Sequence, residues 1–274
     1  MNTKKKIGVV GISHNEEVDL PGFIEHLEDW VDEIVIVDSG STDSSLQIIN
    51  NSSFDIILIE TSLEKAGGYA GLRNLGIEAC NTEWIINMDI DERITEKLKL
   101  EILKSINSDS FNAYRYRRLN FFLHRPMKAG GWNSWNNPQL AKKGAHSYQG
   151  NLHEKCIVQG GDSKIGQLKN YMWHLNDESY LERMDKSFRY CQLESDKLVE
   201  KKICVKGYQL LLYPILEFFK KYIYKKGFID GIPGLIAAIH SADAVFRALA
   251  LTWDVQNKID RKDLENFNNS NKKT

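Results

Sequence analysis

Along the first third of the chain, apolar residues come in short unbroken runs separated by stretches of helical spacing. Residues 7–12, 34–37, 56–59 and 84–88 are such runs, the pattern of strands buried on both faces. Between them, Phe23, Leu27 and Trp30 follow Pro21 at helical spacing. Leu46, Ile48 and Ile49 follow the cap candidates Thr42 and Asp43, and residues 70–80 form a third helical stretch after Gly67-Gly68. Strands alternating with helices predict βαβ units and a mostly parallel sheet with right-handed crossovers.

From about residue 111 the pattern changes. Residues 114–122 alternate like a strand with one polar face, residues 130–138 form a loop rich in Gly, Trp and Asn, and further strand-like runs reach His174. A helix is expected from Asn176 or Ser179, with Leu181, Met184, Phe188, Cys191 and Leu198 at helical spacing and Ser179-x-x-Glu182 resembling a capping box. Residues 201–226 stand apart, with seven lysines and one glutamate around the apolar run 210–219. A short apolar segment flanked by Lys and Tyr reads as lying in a membrane interface; a helical pair packed on the domain or on a twin subunit is the other reading. A helix over 233–251 is apolar nearly all round, and residues 263–274 read as a frayed polar tail.

Composition narrows the function classes. The 274 residues are 42% hydrophobic and 27% charged with net charge −1, so there is no basic field of the kind nucleic-acid binding exploits. Cys80, Cys156, Cys191 and Cys204 are scattered without a C-x-x-C pair, which suits neither a disulfide framework nor a zinc site and fits a reducing cytoplasm. The N-terminal stretch lacks the pattern of a signal peptide, and no apolar run reaches the roughly 18–20 residues a spanning helix needs.

Candidate chemistry gathers where the predicted strands end. The fourth run ends in Asp89-Ile90-Asp91; strand alternation aims both carboxylates the same way, and two converging carboxylates call for a hard divalent cation carrying a phosphate. Their other reading is local, with Asp91-Glu92 capping the helix that carries Ile94 and Leu98. Asp38 ends the second strand, where a carboxylate accepts hydrogen bonds from a ribose or base, or else caps a helix. Arg73 either pairs with Asp89, reaches a phosphate, or is a solvated helix charge. Glu154 is a candidate general base, with His153 beside it to orient it or an acceptor. His174 is either a satisfied core histidine or a metal ligand, and Trp132 and Trp135 either stack on sugars or fill the core.

The set Ile12-Ser-His-Asn-Glu16, Val37-Asp-Ser-Gly-Ser-Thr-Asp43, Arg73-Asn74, Asn87-Met-Asp-Ile-Asp-Glu92 and His153-Glu154 resembles the family 2 glycosyltransferases with the GT-A fold. Trp173-His174 and Gly227-Phe-Ile-Asp-Gly-Ile-Pro-Gly234 resemble the bacterial subgroup that includes lipopolysaccharide-core β-1,4-glucosyltransferases. The resemblance implies inverting transfer from a UDP-hexose such as UDP-glucose to a saccharide or lipid-linked acceptor, with Mg²⁺ or Mn²⁺ on the diphosphate. It implies nucleotide contacts from Ser13, Asn15, Glu16, Asp38 and Arg73, and ribose or metal contact from Asp89. Asp91 would be the principal metal ligand, His174 a further one, and Glu154 the base. Ile90, where a smaller residue is commoner, is expected to crowd the site. The implied organisation is a GT-A domain over 1–200, with a nucleotide-sugar half to about 110 and an acceptor half over 111–200. A helical region over 201–260 for a membrane interface or oligomer contact follows, then a flexible tail over 261–274. The implied place of action is cytoplasmic, peripheral at the inner face of the membrane and in contact with anionic lipid.

Two rival functions differ in class. A sugar nucleotidyltransferase opens with a Gly-rich phosphate loop after its first strand, where this chain has Ile12-Ser-His-Asn-Glu-Glu17. A non-catalytic saccharide-binding or assembly protein would lack part of the motif set, and nothing in the set is missing.

Overall fold

Four parallel strands form the frame, and the reason is burial on both faces. Ile34, Val35, Ile36 and Val37 of the second strand are all fully buried; such side chains contribute about 1.5–3 kcal/mol each. In a computed structural model, which describes residues 5–108, 110–133, 136–150, 154–177 and 179–270, the chain begins β1 (Ile7–Ser13), α1 (Leu20–Glu28), β2 (Glu33–Asp38), α2 (Ser45–Asn50), β3 (Ile56–Glu60), α3 (Tyr69–Ala79) and β4 (Trp84–Asp89). There follow β5 (Glu92–Ile94), α4 (Glu96–Ser105), β6 (Ala113–Phe122), β7 (Arg125–Pro126), β8 (Pro138–Lys142), β9 (His146–Gln149), β10 (Lys155–Val158) and β11 (Ile165–His174).

Eight of these strands line up as β3-β2-β1-β4-β8-β6-β11-β5. The β3-β2-β1-β4 half is parallel throughout, whereas β8 is antiparallel to both β4 and β6, and β5 to β11. β9 and β10 pair as a separate antiparallel hairpin. The expected α/β sheet flanked by helices is therefore present, and it becomes mixed beyond β4. The larger core cluster contains Phe23, Leu27, Ile36, Trp84, Ile86, Met88 and Ile90. Ile90 thus turns away from its two aspartates into the core and does not crowd them. Gly11 makes room for it, because a Cβ there would stand 3.0 Å from Ile90 Cδ1.

Asp91 and Glu92 do not cap the following helix. Glu92 belongs to β5, and Thr95 caps α4 by accepting the Leu98 N–H at 3.3 Å.

Contacts divide the chain into one unit of residues up to Phe121 plus Asn133–Asn176, and a second of Phe122–Trp132 plus Asp177 onward. The break falls before α5 (Tyr180–Glu200) rather than at residue 200, because α5 packs along α7 (Gly231–Gln256). Ser179 caps α5 by accepting the Glu182 N–H at 3.1 Å. Its buried face is made of Ser187, Cys191 and Ser195, not of the larger apolar residues; Leu181 and Phe188 face solvent. Between those helices lie α6 (Gly207–Phe219), a π-helical turn at Lys220–Tyr224 and a 3₁₀ turn at Gly227–Asp230. Asp230 accepts the backbone N–H groups of Lys128 and Ala129, each at 2.9 Å. A Cβ on Gly234 would lie 2.0 Å from the Gly227 carbonyl oxygen and one on Gly227 2.8 Å from that of Lys221, so these two glycines stand where backbones meet. Trp132 stacks against Phe122 and under Arg183 within this unit. The expected tail contains a helix, α8 (Arg261–Ser270).

Candidate active site

Sheet register brings the predicted residues to one edge. Ser13 lies opposite Asp38 across β1 and β2, and Ile12 opposite Asp89 across β1 and β4, all at the carboxyl ends of parallel strands. Open α/β sheets bind ligands there.

The loops after β1 and β2 are stitched together. Asn15, in the left-handed region at φ 58°, accepts the Thr42 N–H at 2.7 Å and donates its own N–H to the Ser41 hydroxyl at 2.8 Å. Glu16 donates its N–H to Ser45 Oγ, and Glu17 accepts the Ser44 N–H. Asp38 is buried and builds the turn that follows it: Oδ1 accepts from Gly40 and Ser41 N–H, and Oδ2 from the Ser41 hydroxyl at 2.5 Å. These contacts leave one acceptor position of Oδ2 unused. The buried Ser13 hydroxyl has no hydrogen-bond partner among the described residues.

Arg73, on α3, is buried and joins two predicted residues. Its Nη2 donates to Asp89 Oδ1 at 2.6 Å and its Nε to Glu154 Oε1 at 3.2 Å, while its guanidinium lies 5.4 Å from the centre of the Tyr148 ring. Asn74 fixes the Tyr148 backbone by accepting its N–H and donating to its carbonyl. Arg118, on β6, reaches Asp89 Oδ2 at 3.2 Å and also pairs with Glu92. Burial works against charge on Asp89, but Arg73 and Arg118 outweigh it and hold the carboxyl well below the usual range. Burial pushes the Glu92 carboxyl the other way, up to about 8, against the pull of Arg118.

Asp91 has different company. Its Oδ2 lies 2.9 Å from His174 Nε2, and His174 Nδ1 lies 2.6 Å from Asn120 Oδ1. His174 therefore has an oxygen facing each ring nitrogen, the Asn120 amide at Nδ1 and the Asp91 carboxylate at Nε2. A divalent cation fits this donor set: a carboxylate and an imidazole whose far nitrogen is tied down, as metal-binding histidines are held. Among the described residues no third His, Cys, Asp or Glu completes a cluster with them. The segment is fixed from outside, since Arg93 donates to the Ile90 and Glu92 carbonyls and Leu175 N–H to that of Asp91.

Structure therefore brings together Arg73, Asp89 and Glu154, and Asp91 with His174. His153 and Trp135 lie outside the described residues. Arg118, Asn120 and Tyr148 join the site without having been singled out by sequence, and Glu92 joins it although its sequence reading was a helix cap. The signal for Arg118 and Asn120 was polar groups continuing the even positions of Tyr114 and Tyr116 at a strand's end.

Parallel strand ends carrying a carboxylate-arginine network define the ligand-binding edge of an α/β protein. Residues 9–159 match Glycosyl transferase family 2, and the chain belongs to that family. It is 29% identical to the lipopolysaccharide core biosynthesis glycosyltransferase LpsC of Rhizobium meliloti, over 86% of this chain and 90% of that protein. It is 26% identical to an uncharacterized glycosyltransferase of Rickettsia felis, over 90% and 89% of the two chains. Among solved structures it is similar to S. aureus TarS 1-349 in complex with UDP-GlcNAc, at 16% identity, TM-score 0.48 and 92% and 91% coverage.

Proposed function

We propose that this protein transfers a hexosyl group, with inversion, from a nucleoside-diphosphate sugar to a hydroxyl of a saccharide or lipid-linked acceptor. Family membership and the similarity to LpsC support placing that reaction in lipopolysaccharide synthesis; the motif resemblance implies a UDP-hexose as donor and a cytoplasmic place of action. The observation that carries the reading is Arg73, which ties the DxD aspartate Asp89 to Glu154 and so sets a donor-side and an acceptor-side carboxylate around one guanidinium.

In this reading Asp38, Ser13, Asn15 and Glu16 form the nucleoside wall, with the second acceptor position of Asp38 Oδ2 and the Ser13 hydroxyl as its hydrogen-bonding groups. Asp89, held by two arginines, serves the ribose or the sugar. Asp91 and His174 would hold Mg²⁺ or Mn²⁺. That ion neutralises charge on the departing diphosphate when bound. Arg73 and Arg118 keep the carboxylates rigid, and rigidity is what transfer between two positioned substrates needs. Glu154 takes the proton from the acceptor hydroxyl as its oxygen attacks the anomeric carbon in line with the leaving oxygen.

Glu154→Gln tests the assignment. Transfer falls by at least about 10²-fold, the usual weight of general-base catalysis, while the UDP- and Mn²⁺-dependent rise in melting temperature is kept. Loss of that rise together with activity refutes the role as base. Its absence in the unmodified protein refutes the transferase reading.

A further inference from the structure

The second unit exposes far more apolar surface than a packed helix pair requires. α6 buries none of its residues. Tyr208, Leu211, Ile215, Phe219 and Ile223 succeed one another at steps of three and four, each between 44% and 69% exposed, and so form one stripe. On α7, Ile232, Ile239, Phe246 and Trp253 are spaced by seven and lie on one side of that helix, between 45% and 74% exposed. Contiguous apolar surface of this kind marks a protein or membrane contact.

Charge selects between them. Residues 201–232 hold seven lysines against Glu217 and Asp230. Glu217 is taken up by Lys220 at 2.8 Å, and Asp230 accepts two backbone N–H groups. Four tyrosines, at 208, 213, 222 and 224, accompany them, as at bilayer interfaces. Two copies meeting through this face would bring lysine against lysine, a like-charge arrangement that costs affinity.

Although it holds no unbroken apolar run of spanning length, the helical Gly227–Gln256 stretch is by length and overall composition apolar enough to cross a bilayer. Its side chains argue for lying flat. Arg247 pairs with Asp243 at 2.8 Å and donates to Ser187 Oγ of α5, and Thr252 donates to Ser195 Oγ, so one flank of α7 is committed to α5 by polar contacts.

We propose that the exposed α6–α7 face rests in the interface of an anionic phospholipid bilayer, with its apolar stripes among the acyl chains and its lysines at phosphate level. This does not depend on the transferase assignment. Co-flotation of the full chain with phosphatidylcholine vesicles, with and without phosphatidylglycerol, tests it. The protein floats with the anionic vesicles and not with the neutral ones. Lys201→Gln, Lys202→Asn, Lys220→Gln and Lys226→Asn together weaken binding by roughly 600-fold, about fivefold for each of the four charges. Asparagine is used at 202 and 226 because both residues have left-handed backbones, at φ 54° and 58°.

Leu211→Ser with Phe219→Ser leaves the melting temperature unchanged, because both side chains are exposed, yet abolishes flotation. Brominated lipid quenches the fluorescence component that Trp253→Phe removes. Failure of the unmodified protein to float with anionic vesicles, or equal flotation of the four-lysine variant, overturns the proposal. So does sedimentation as a stable dimer that the Leu211→Ser, Phe219→Ser variant dissociates.

Discussion

Arg73→Met should unfasten the site without emptying the space beneath it, since methionine preserves most of the apolar stem. The arginine side chain is 10% exposed and meets Asp89 at 2.6 Å and Glu154 at 3.2 Å. Removing one member of a buried ion pair costs about 3–5 kcal/mol, because the partner charge is left in a poor solvent. Two features reduce that here. Asp89 keeps Arg118 at 3.2 Å, and the Glu154 side chain, 20% exposed, can recover water. The expected loss is therefore about 2–4 kcal/mol, a large part of a typical stability of about 5–15 kcal/mol.

Urea unfolding followed by circular dichroism reads this as a lower midpoint at unchanged m-value. The acid limb supplies a second check. Asp89 is held below the usual carboxylate range, so the stability it brings is complete above its unfolded value near 3.8 and is lost as pH falls through its lower folded value. Arg73→Met therefore shrinks the difference in stability between neutral and strongly acidic solution. Arg73→Lys falls between, keeping a charge but losing the fork that reaches both carboxylates. A loss under about 1 kcal/mol with an unaltered acid limb would show that Arg73 is a surface charge and that the bridge carries no weight.

Two further expectations concern other parts of the first unit. Asn120→Ala frees the far nitrogen of His174 and should lower Mn²⁺ affinity in the presence of UDP by about 10–100-fold, read by titration calorimetry; unchanged affinity would separate Asn120 from the metal. His26 on α1 donates Nδ1–H to the Gly22 carbonyl, while its buried Nε2 has no hydrogen-bond partner among the described residues. Burial first and Arg93 second push it from 6.5 down to about 4, so its contribution is intact above pH 6.5 and is lost as pH falls toward 4. The amount is about 3 kcal/mol, and His26→Gln should flatten stability over that window; parallel curves for the two proteins would reject the assignment.

The parallel half of the sheet was legible because burial on both faces leaves an unmistakable apolar run, and the strand ends then name the site. Asp38, Asp89 and Asp91 stood out as candidates for that reason, whereas Arg73 and Glu154 were candidates from outside the strand ends, with an Arg73–Asp89 pair as one option. What sequence hid depends on nonlocal pairing. β5 is three residues long and is a strand only because β11 runs antiparallel to it, so Glu92 looked like a cap. Arg118 and Asn120 sit in a strand whose alternation read as solvent-facing polarity, whereas the register sets Asn120 beside His174 and Arg118 against Asp89. Ile90 looked like a crowding side chain because the room made for it by Gly11 lies on another strand.

The same nonlocal contacts make the two aspartates chemically unequal. Spacing alone aims both at one ligand, and two bare carboxylates would compete for one cation. Two arginines stand at Asp89, so positive charge is already supplied there and a second cation would be repelled; at Asp91 the partners are an imidazole and, behind it, an amide oxygen. On the proposed reading this sorts the donor by charge. Asp91 and His174 would hold the metal, and the arginine side would draw the anionic diphosphate. The pair works as two neighbouring half-sites of opposite character rather than as one bidentate clamp. A substitution that strips positive charge from Asp89, such as Arg73→Met, should then admit the cation to the wrong aspartate, and it would damage donor positioning even where the fold survives.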